Sequence, residues 1–313
     1  MGFFPTMSDT VVSIGGTRKL RVFEGGDPGG KPVFFLHGTP SSGVLDPRWV
    51  TDAQHQGIRL ISYNRPGYGA STPFPGRRVA DVTEDVVAIA DHLGISHFAV
   101  WGVSGGGPHA LACASKLSSR CVAVASLASP APPEYGRESR STKVNKHVDC
   151  EPLPTPQSQE AWMEGHRSKE LNDARSMLST LKVLSNDRLS LRRSLYRLLT
   201  PFFIGRPEAK PLSVECAQWV VAGLTEAISQ GIEGGLEDAV AIYHQPWGFE
   251  LGSTRVPVLL WHGERDQFVR VEEGRWLSSK IPGVEARFTP GDGHVSLTEL
   301  KIPEVHRWLL SKF

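Results

Sequence analysis

The stretch Val100-Trp101-Gly102-Val103-Ser104-Gly105-Gly106-Gly107-Pro108-His109-Ala110-Leu111-Ala112 decides how this chain is read. An apolar run ends in a serine, and Gly102, Gly105, Gly106 and Gly107 crowd around it. An ordinary turn needs one glycine. A sharp strand-to-helix turn that holds a side chain out at its apex needs more, because the backbone passes close to its own neighbours and a Cβ there would collide. Gly102 and Gly106 are read as permitting the turn, Gly105 as leaving room for a substrate, and Gly107 as allowing close helix packing. Pro108 suits a first helical turn, where its missing N–H removes no helical bond. Ser104 is thereby offered as a nucleophile. The Gly105 N–H lies at a helix start, where developing negative charge is favoured.

Outward from this point the pattern is regular. Apolar runs at 32–38, 58–67, 98–104, 121–129, 256–263 and 284–290 alternate with helical spacing at 45–57, 79–93, 106–117, 271–281 and 295–312. Continuous apolar strands are those buried on both faces. The expected fold class is therefore α/β, a mostly parallel doubly wound sheet with right-handed crossovers. Two short strands at 11–14 and 20–23, joined by Gly15-Gly16, precede it. The alternation breaks at Pro130 and resumes after Pro246. Between them, 130–156 reads as loop, and 158–200, 213–229 and 231–243 read as helices. The expected division is a core of 1–130 and 246–313 with a helical insertion of 131–245.

A serine hydroxyl needs a base at neutral pH, and the base needs an orienting partner. His294 stands after the last predicted strand, in the glycine-rich run Pro290-Gly291-Asp292-Gly293-His294. Other histidines have plainer readings. His37 and His262 precede glycines at strand ends and shape loops; His109 points away along its helix; His55, His92, His97 and His306 serve surface or packing roles. Asp266 follows the strand at 256–263, on the sheet edge that carries Ser104, with Glu264 and Arg265 supporting its loop. Asp292 reads as a turn residue. Ser104, Asp266 and His294 all follow strands, at the edge where open α/β sheets place their sites. A second oxyanion donor comes from His37-Gly38-Thr39-Pro40, which follows another strand and supplies the Thr39 N–H beside that of Gly105.

Five segments carry a family resemblance. HGTP (37–40) resembles the HGxP oxyanion loop of the α/β-hydrolase family, GVSGG (102–106) its nucleophile elbow, HGERD (262–266) its acid loop and GDGH (291–294) its histidine loop. YNRPGYGAS (63–71) resembles its structural D-x-R-G-x-G-x-S stretch, with Asn64 where the acid is usual. The likeness covers 10–130 and 246–313, and the middle segment would be the family's helical cap. It implies a serine hydrolase that transfers an acyl group to water, from carboxylesters, lactones or related bonds, with neither metal nor organic cofactor. Ser104 at the elbow disfavours epoxide hydrolysis and dehalogenation, which use an aspartate there. Prolyl aminopeptidase-like members usually carry tryptophan after the serine; this chain has Gly105. Amide hydrolysis, carbon–carbon bond hydrolysis and a small-molecule receptor are the alternatives, and the intact triad counts against an inactive binder. Trp162, Trp219 and Tyr243 are candidate substrate contacts, with core packing as the competing role.

Composition bounds the rest. The 313 residues carry 34 Lys and Arg against 33 Asp and Glu, for a formal net charge of +1. No whole-chain field favours nucleic acid or an anionic membrane. The basic run at 188–197 reads as a solvated helix face. Gly25-Gly26-Asp27-Pro28-Gly29-Gly30-Lys31-Pro32 nearly matches a phosphate-binding loop, but Pro32 stands where a hydroxyl is needed and a strand follows. Cys113, Cys121, Cys150 and Cys216 lack paired or metal-site spacing and read as free thiols. With no export signal and no membrane-length apolar run, the expectation is a cytoplasmic protein acting on a small molecule, with no nucleic-acid or membrane partner.

Overall fold

The computed structural model describes residues 7–136, 169, 171–180 and 213–313. Its strands are β1 (Ser8–Ile14), β2 (Arg18–Gly26), β3 (Lys31–Leu36), β4 (Ile58–Tyr63), β5 (Phe98–Val103), β6 (Cys121–Leu127), β7 (Val258–Gly263) and β8 (Glu285–Thr289). They form one sheet in the order β1-β2-β4-β3-β5-β6-β7-β8. β2 runs antiparallel to β1 and β4, and the pairings from β4 through β8 are parallel. The α/β class read from the sequence is the observed one.

Seven helices need labels: α1 (Pro47–Gln56), α2 (Val82–His92), α3 (Gly106–Lys116), α4 (Val214–Ala227), α5 (Glu233–Tyr243), α6 (Val271–Lys280) and α7 (His294–Leu310). Successive side chains of a strand face opposite ways, so each central strand feeds two cores. Phe34 and Val100 pack with Ile89 of α2, Leu111 of α3 and Leu277 of α6 on one face. Phe35 and Trp101 pack with Val50 of α1 and Leu309 of α7 on the other. Trp101 stacks on Phe35, with ring centroids 4.3 Å apart. The helix expected at 79–93 divides: Val79–Asp81 is a 3₁₀ turn, and the α-helix starts at Val82. Trp162, Cys150 and the basic run at 188–197 lie outside the described residues. Cys113, Cys121 and Cys216 are free and buried. Among the described residues no helix is long and apolar enough to cross a membrane.

Helices α4 and α5 occupy the segment expected to be helical, and polar bonds tie both to the sheet. Glu226 of α4 accepts from Asn64 Nδ2 at 2.8 Å and Arg21 Nη1 at 2.9 Å. Asn64 Oδ1 in turn accepts from the Gly43 N–H at 2.8 Å. This explains the missing acid. An amide can accept from Gly43 and donate to Glu226 at once, whereas an aspartate would set two carboxylates against each other. Asp238 of α5 is fully buried with Arg65 and Arg77. Its carboxylate also accepts from the hydroxyls of Tyr68 and Thr39, each at 2.8 Å.

Two histidines lie beneath the same edge, fully buried. His37 bonds the Gly38 carbonyl through Nδ1 at 2.8 Å and accepts from the Arg65 N–H at 3.2 Å. His109 donates from Nδ1 to the Gly105 carbonyl at 2.7 Å. Burial and the Arg65 guanidinium push both below the usual imidazole range, His109 to about 3.

Asn64→Asp should lower stability by about 1–3 kcal/mol, the scale of a buried bond turned repulsive. Adding Glu226→Gln should return most of it, read as the urea midpoint; an unmoved midpoint in Asn64→Asp refutes the bonding scheme. The histidines predict a pH effect. Their folded-state affinity for protons is depressed, so below the unfolded value of about 6.5 the unfolded chain takes up protons that the folded chain cannot. Stability therefore falls as pH falls, by up to about 1.4 kcal/mol per unit for each group. Between pH 7 and 5 the loss should be shallower in His109→Gln, which keeps an N–H for the Gly105 carbonyl. Equal slopes would mean that His109 ionises in the folded chain.

Candidate active site

Ser104 follows β5 with φ of 54°, in the left-handed region that non-glycine residues seldom occupy. Two backbone bonds hold it there. Its N–H donates to the Leu127 carbonyl at 2.9 Å, and its carbonyl accepts from the Gly107 N–H at 2.8 Å as α3 begins. The turn is as crowded as the glycines suggest. A Cβ at Gly102 would strike the Gly106 carbonyl oxygen, and one at Gly106 the Leu36 carbonyl oxygen. At Gly107 it would strike the Ser129 side chain.

Gly105 requires a correction. The space beside it is not open to substrate: a Cβ there would strike the Thr39 side chain and come within 3.0 Å of Ile242 Cδ1. The reason is topological. β3 and β5 are neighbours, so the loop after one lies against the turn after the other. Thr39 and Gly105 are thus adjacent, and among the described residues neither N–H donates a hydrogen bond. A trans peptide is planar, so fixing its carbonyl fixes the N–H on its far side. The carbonyl paired with the Thr39 N–H is that of Gly38, which accepts from His37 at 2.8 Å and Arg65 Nη2 at 3.2 Å. The carbonyl paired with the Gly105 N–H is that of Ser104, held by Gly107.

His294 opens α7, and its Nδ1 lies 2.6 Å from Asp266 Oδ2. The Asp266 side chain is buried. Its Oδ1 accepts from the N–H groups of Phe268 and Val269, both at 2.9 Å. His262 Nε2 lies 3.4 Å from Oδ2 and bonds the Val269 carbonyl at 2.9 Å, so this histidine braces the acid loop. Burial opposes ionisation of Asp266. The bonds from His262 and His294, the His294 charge and the Val269 N–H outweigh it and hold the carboxyl well below the usual range. An ionised Asp266 places the proton of neutral His294 on Nδ1 and leaves Nε2 as the basic nitrogen.

The His294 ring pairs with Asp266 and with neither competing acid. Asp292 is buried, lies 3.8 Å from Lys301 Nζ, and offers its carbonyl to the Arg265 N–H at 3.0 Å. Glu264 pairs with Arg275 at 2.8 Å. His109 does not point away along its helix as expected. The start of α3 is buried on every side, so the residue five beyond the serine stays under the elbow and binds Gly105. Among the aromatic candidates, Trp219 packs on Trp49 at 4.6 Å and donates to the Val44 carbonyl at 2.8 Å. Tyr243 is exposed at the end of α5. Phe268, which no sequence pattern singled out, stands 5.3 Å from the His294 ring and is 56% exposed.

A family model described as alpha/beta hydrolase fold matches residues 31–299. The AB hydrolase superfamily protein YisY of Bacillus subtilis is 23% identical over 87% of this chain and 88% of its own length. The bifunctional esterase/perhydrolase DCH of Acinetobacter calcoaceticus is 27% identical over 77% of this chain and 76% of its own. A probable proline iminopeptidase of Leptolyngbya boryana is 33% identical, but over only 32% of either chain. Among solved structures, the esterase EaEST of Exiguobacterium antarcticum superposes with a TM-score of 0.66 at 18% identity, covering 97% of this chain and 98% of that one. With the family model spanning most of its length, the chain belongs to the alpha/beta hydrolase fold family.

Proposed function

We propose that this protein is a serine hydrolase that cleaves an ester-type bond of a small, apolar molecule through an acyl-enzyme. The observation that carries the proposal is the His294–Asp266 bond of 2.6 Å on the sheet edge where Ser104 sits in its left-handed turn. β6 alone separates β5 from β7. Neighbouring strands lie about 4.8 Å apart, so the loops bearing Ser104 and Asp266 are about two strand spacings apart, a gap of the size one imidazole bridges.

In this reading the Ser104 hydroxyl attacks a carbonyl carbon while His294 Nε2 takes its proton. Asp266 holds the ring in the required tautomer and stabilises the imidazolium that forms. The N–H groups of Thr39 and Gly105 receive the oxyanion. His294 then gives the proton to the leaving oxygen and activates the water that frees Ser104. Helices α4 and α5 belong to a cap over this edge, with Tyr243 and Trp219 as candidate substrate contacts. The protein acts in the cytoplasm on a small molecule and needs no cofactor. Ester cleavage is favoured over peptidase chemistry by Gly105. The tryptophan usual in the peptidase-like elbow would run into Thr39 and Ile242 here.

Ser104→Ala should lower kcat on a p-nitrophenyl ester by at least ~10⁴-fold, the scale of a lost triad nucleophile. A fluorophosphonate probe should label the parent chain and leave that variant unlabelled; near-full turnover without Ser104 refutes the assignment. Asp266→Asn should cost about 10³–10⁴-fold, because the amide favours the wrong tautomer of His294. Asp292→Asn should stay within a few-fold of the parent. The reverse order would move the acid to Asp292. A panel of acyl chain lengths, run beside lactone and amide substrates, reads the specificity.

A further inference from the structure

We propose that Asp238 is a positioning residue for the oxyanion donors, acting through Arg65 and the Thr39 hydroxyl. The inference rests on the reading of Thr39 and Gly105 given above. Neither Asp238 nor Arg65 touches the reacting atoms in that scheme.

The contacts run in one direction, from helix α5 to the loop after β3. Asp238 Oδ2 takes Arg65 Nη2 at 2.5 Å and Arg65 Nε at 3.1 Å. Oδ1 takes Arg77 Nη1 at 2.5 Å. The Arg65 guanidinium is thereby locked in plane, and its remaining donors go to three consecutive residues. Nη1 donates to the His37 carbonyl at 2.5 Å; the second Nη2–H is shared between the Gly38 carbonyl at 3.2 Å and Thr39 Oγ1 at 3.1 Å. The Thr39 hydroxyl in turn donates a hydrogen bond to Asp238 Oδ2 at 2.8 Å. The loop is therefore gripped at the carbonyl that sets the Thr39 N–H and at the Thr39 side chain. The second donor borders the same cluster, since the Thr39 side chain fills the space against Gly105 and His109 Nε2 lies 4.0 Å from Asp238 Oδ1.

Such a cluster is poorly explained as a source of stability alone. Removing charges from water costs about as much as their attraction returns, and apolar residues of similar volume often serve as well. What charges supply is direction. A planar guanidinium with fixed N–H vectors can orient two successive carbonyls, which apolar packing cannot do. The oxyanion donors gain from this because they act only when aimed at the tetrahedral oxygen before it forms.

Thr39→Val keeps the N–H and the branched shape but removes the link to Asp238. Its kcat on p-nitrophenyl acetate should fall ~10–100-fold, the scale of a misaligned catalytic group, while KM stays within about three-fold. Affinity for phenylboronic acid, whose tetrahedral adduct on Ser104 uses the same donors, should fall in parallel. Thr39→Ser restores the hydroxyl and should restore most of kcat. Asp238→Asn should lose at least as much as Thr39→Val, and combining the two should add little, because both break one path. The inference is overturned if folded Thr39→Val keeps kcat within two-fold, or if Thr39→Ser is as impaired as Thr39→Val. Should Asp238→Asn fail to fold, the Thr39 pair alone decides. A parent chain that resists fluorophosphonate and needs no Ser104 would instead defeat the hydrolase reading; a labelled parent with unimpaired Thr39 variants defeats only the role of Asp238.

Discussion

The turn between β5 and α3 has no spare volume, and the site is arranged around that fact. Gly102, Gly106 and Gly107 each face backbone or side-chain atoms that a Cβ would strike. A turn this tight forces the residue at its apex into a left-handed conformation, which costs on the order of 1–3 kcal/mol for a residue with a side chain. The cost is borne by the sheet. Val100 and Trp101, on the strand leading into the turn, are fully buried on opposite faces. Ser104 is also anchored to the end of β6 through the Leu127 carbonyl. Because β3 is the neighbouring strand, the same tightness brings the loop of His37 to Thr39 against the elbow.

Around this turn the chain holds two buried carboxylates in contrasting settings. Asp266 sits between His294 and His262, with two loop N–H groups on its other oxygen. Asp238 sits between Arg65 and Arg77, with the hydroxyls of Tyr68 and Thr39. Burial alone would favour the neutral acid in both places. Their partners outweigh it and hold both below the usual carboxylate range. Fixed charges of this kind set a site's geometry before any substrate arrives, which is where electrostatic catalysis draws its advantage. The neutral histidines His37 and His109 complete the arrangement by binding the carbonyls of Gly38 and Gly105.

Asn64 shows how one departure from a motif is absorbed. Its amide links Gly43, in the loop after β3, to Glu226 on α4, and Glu226 also holds Arg21 of β2. The amide and the distant glutamate form a matched pair, in which changing either alone leaves a buried group wrongly matched. Together with Asp238 on α5, this gives α4 and α5 one polar anchor each on the same sheet edge.

Local pattern settled the fold class. Apolar runs bounded by glycine and proline, alternating with helical spacing, admit few arrangements besides a wound parallel sheet. It also singled out Ser104, Asp266 and His294 as candidates, because each follows a strand in a short segment whose composition is constrained by its own turn. Partners supplied from far along the chain were not legible. Asp238 lies 173 residues from Arg65, and nothing in its own helix distinguishes it from an ordinary acid. Gly105 was misread for the same reason: its neighbour Thr39 is distant in sequence and close only across paired strands. His109 was misread because helical spacing gives a direction around an axis, whereas burial on all sides depends on what packs there. The sequence by itself determined which segments become strands, turns and helices, since these obey local backbone sterics and periodicity. Tertiary structure alone decided which buried charges meet, because that depends on strand order and on helices returning from the intervening segment to the sheet edge.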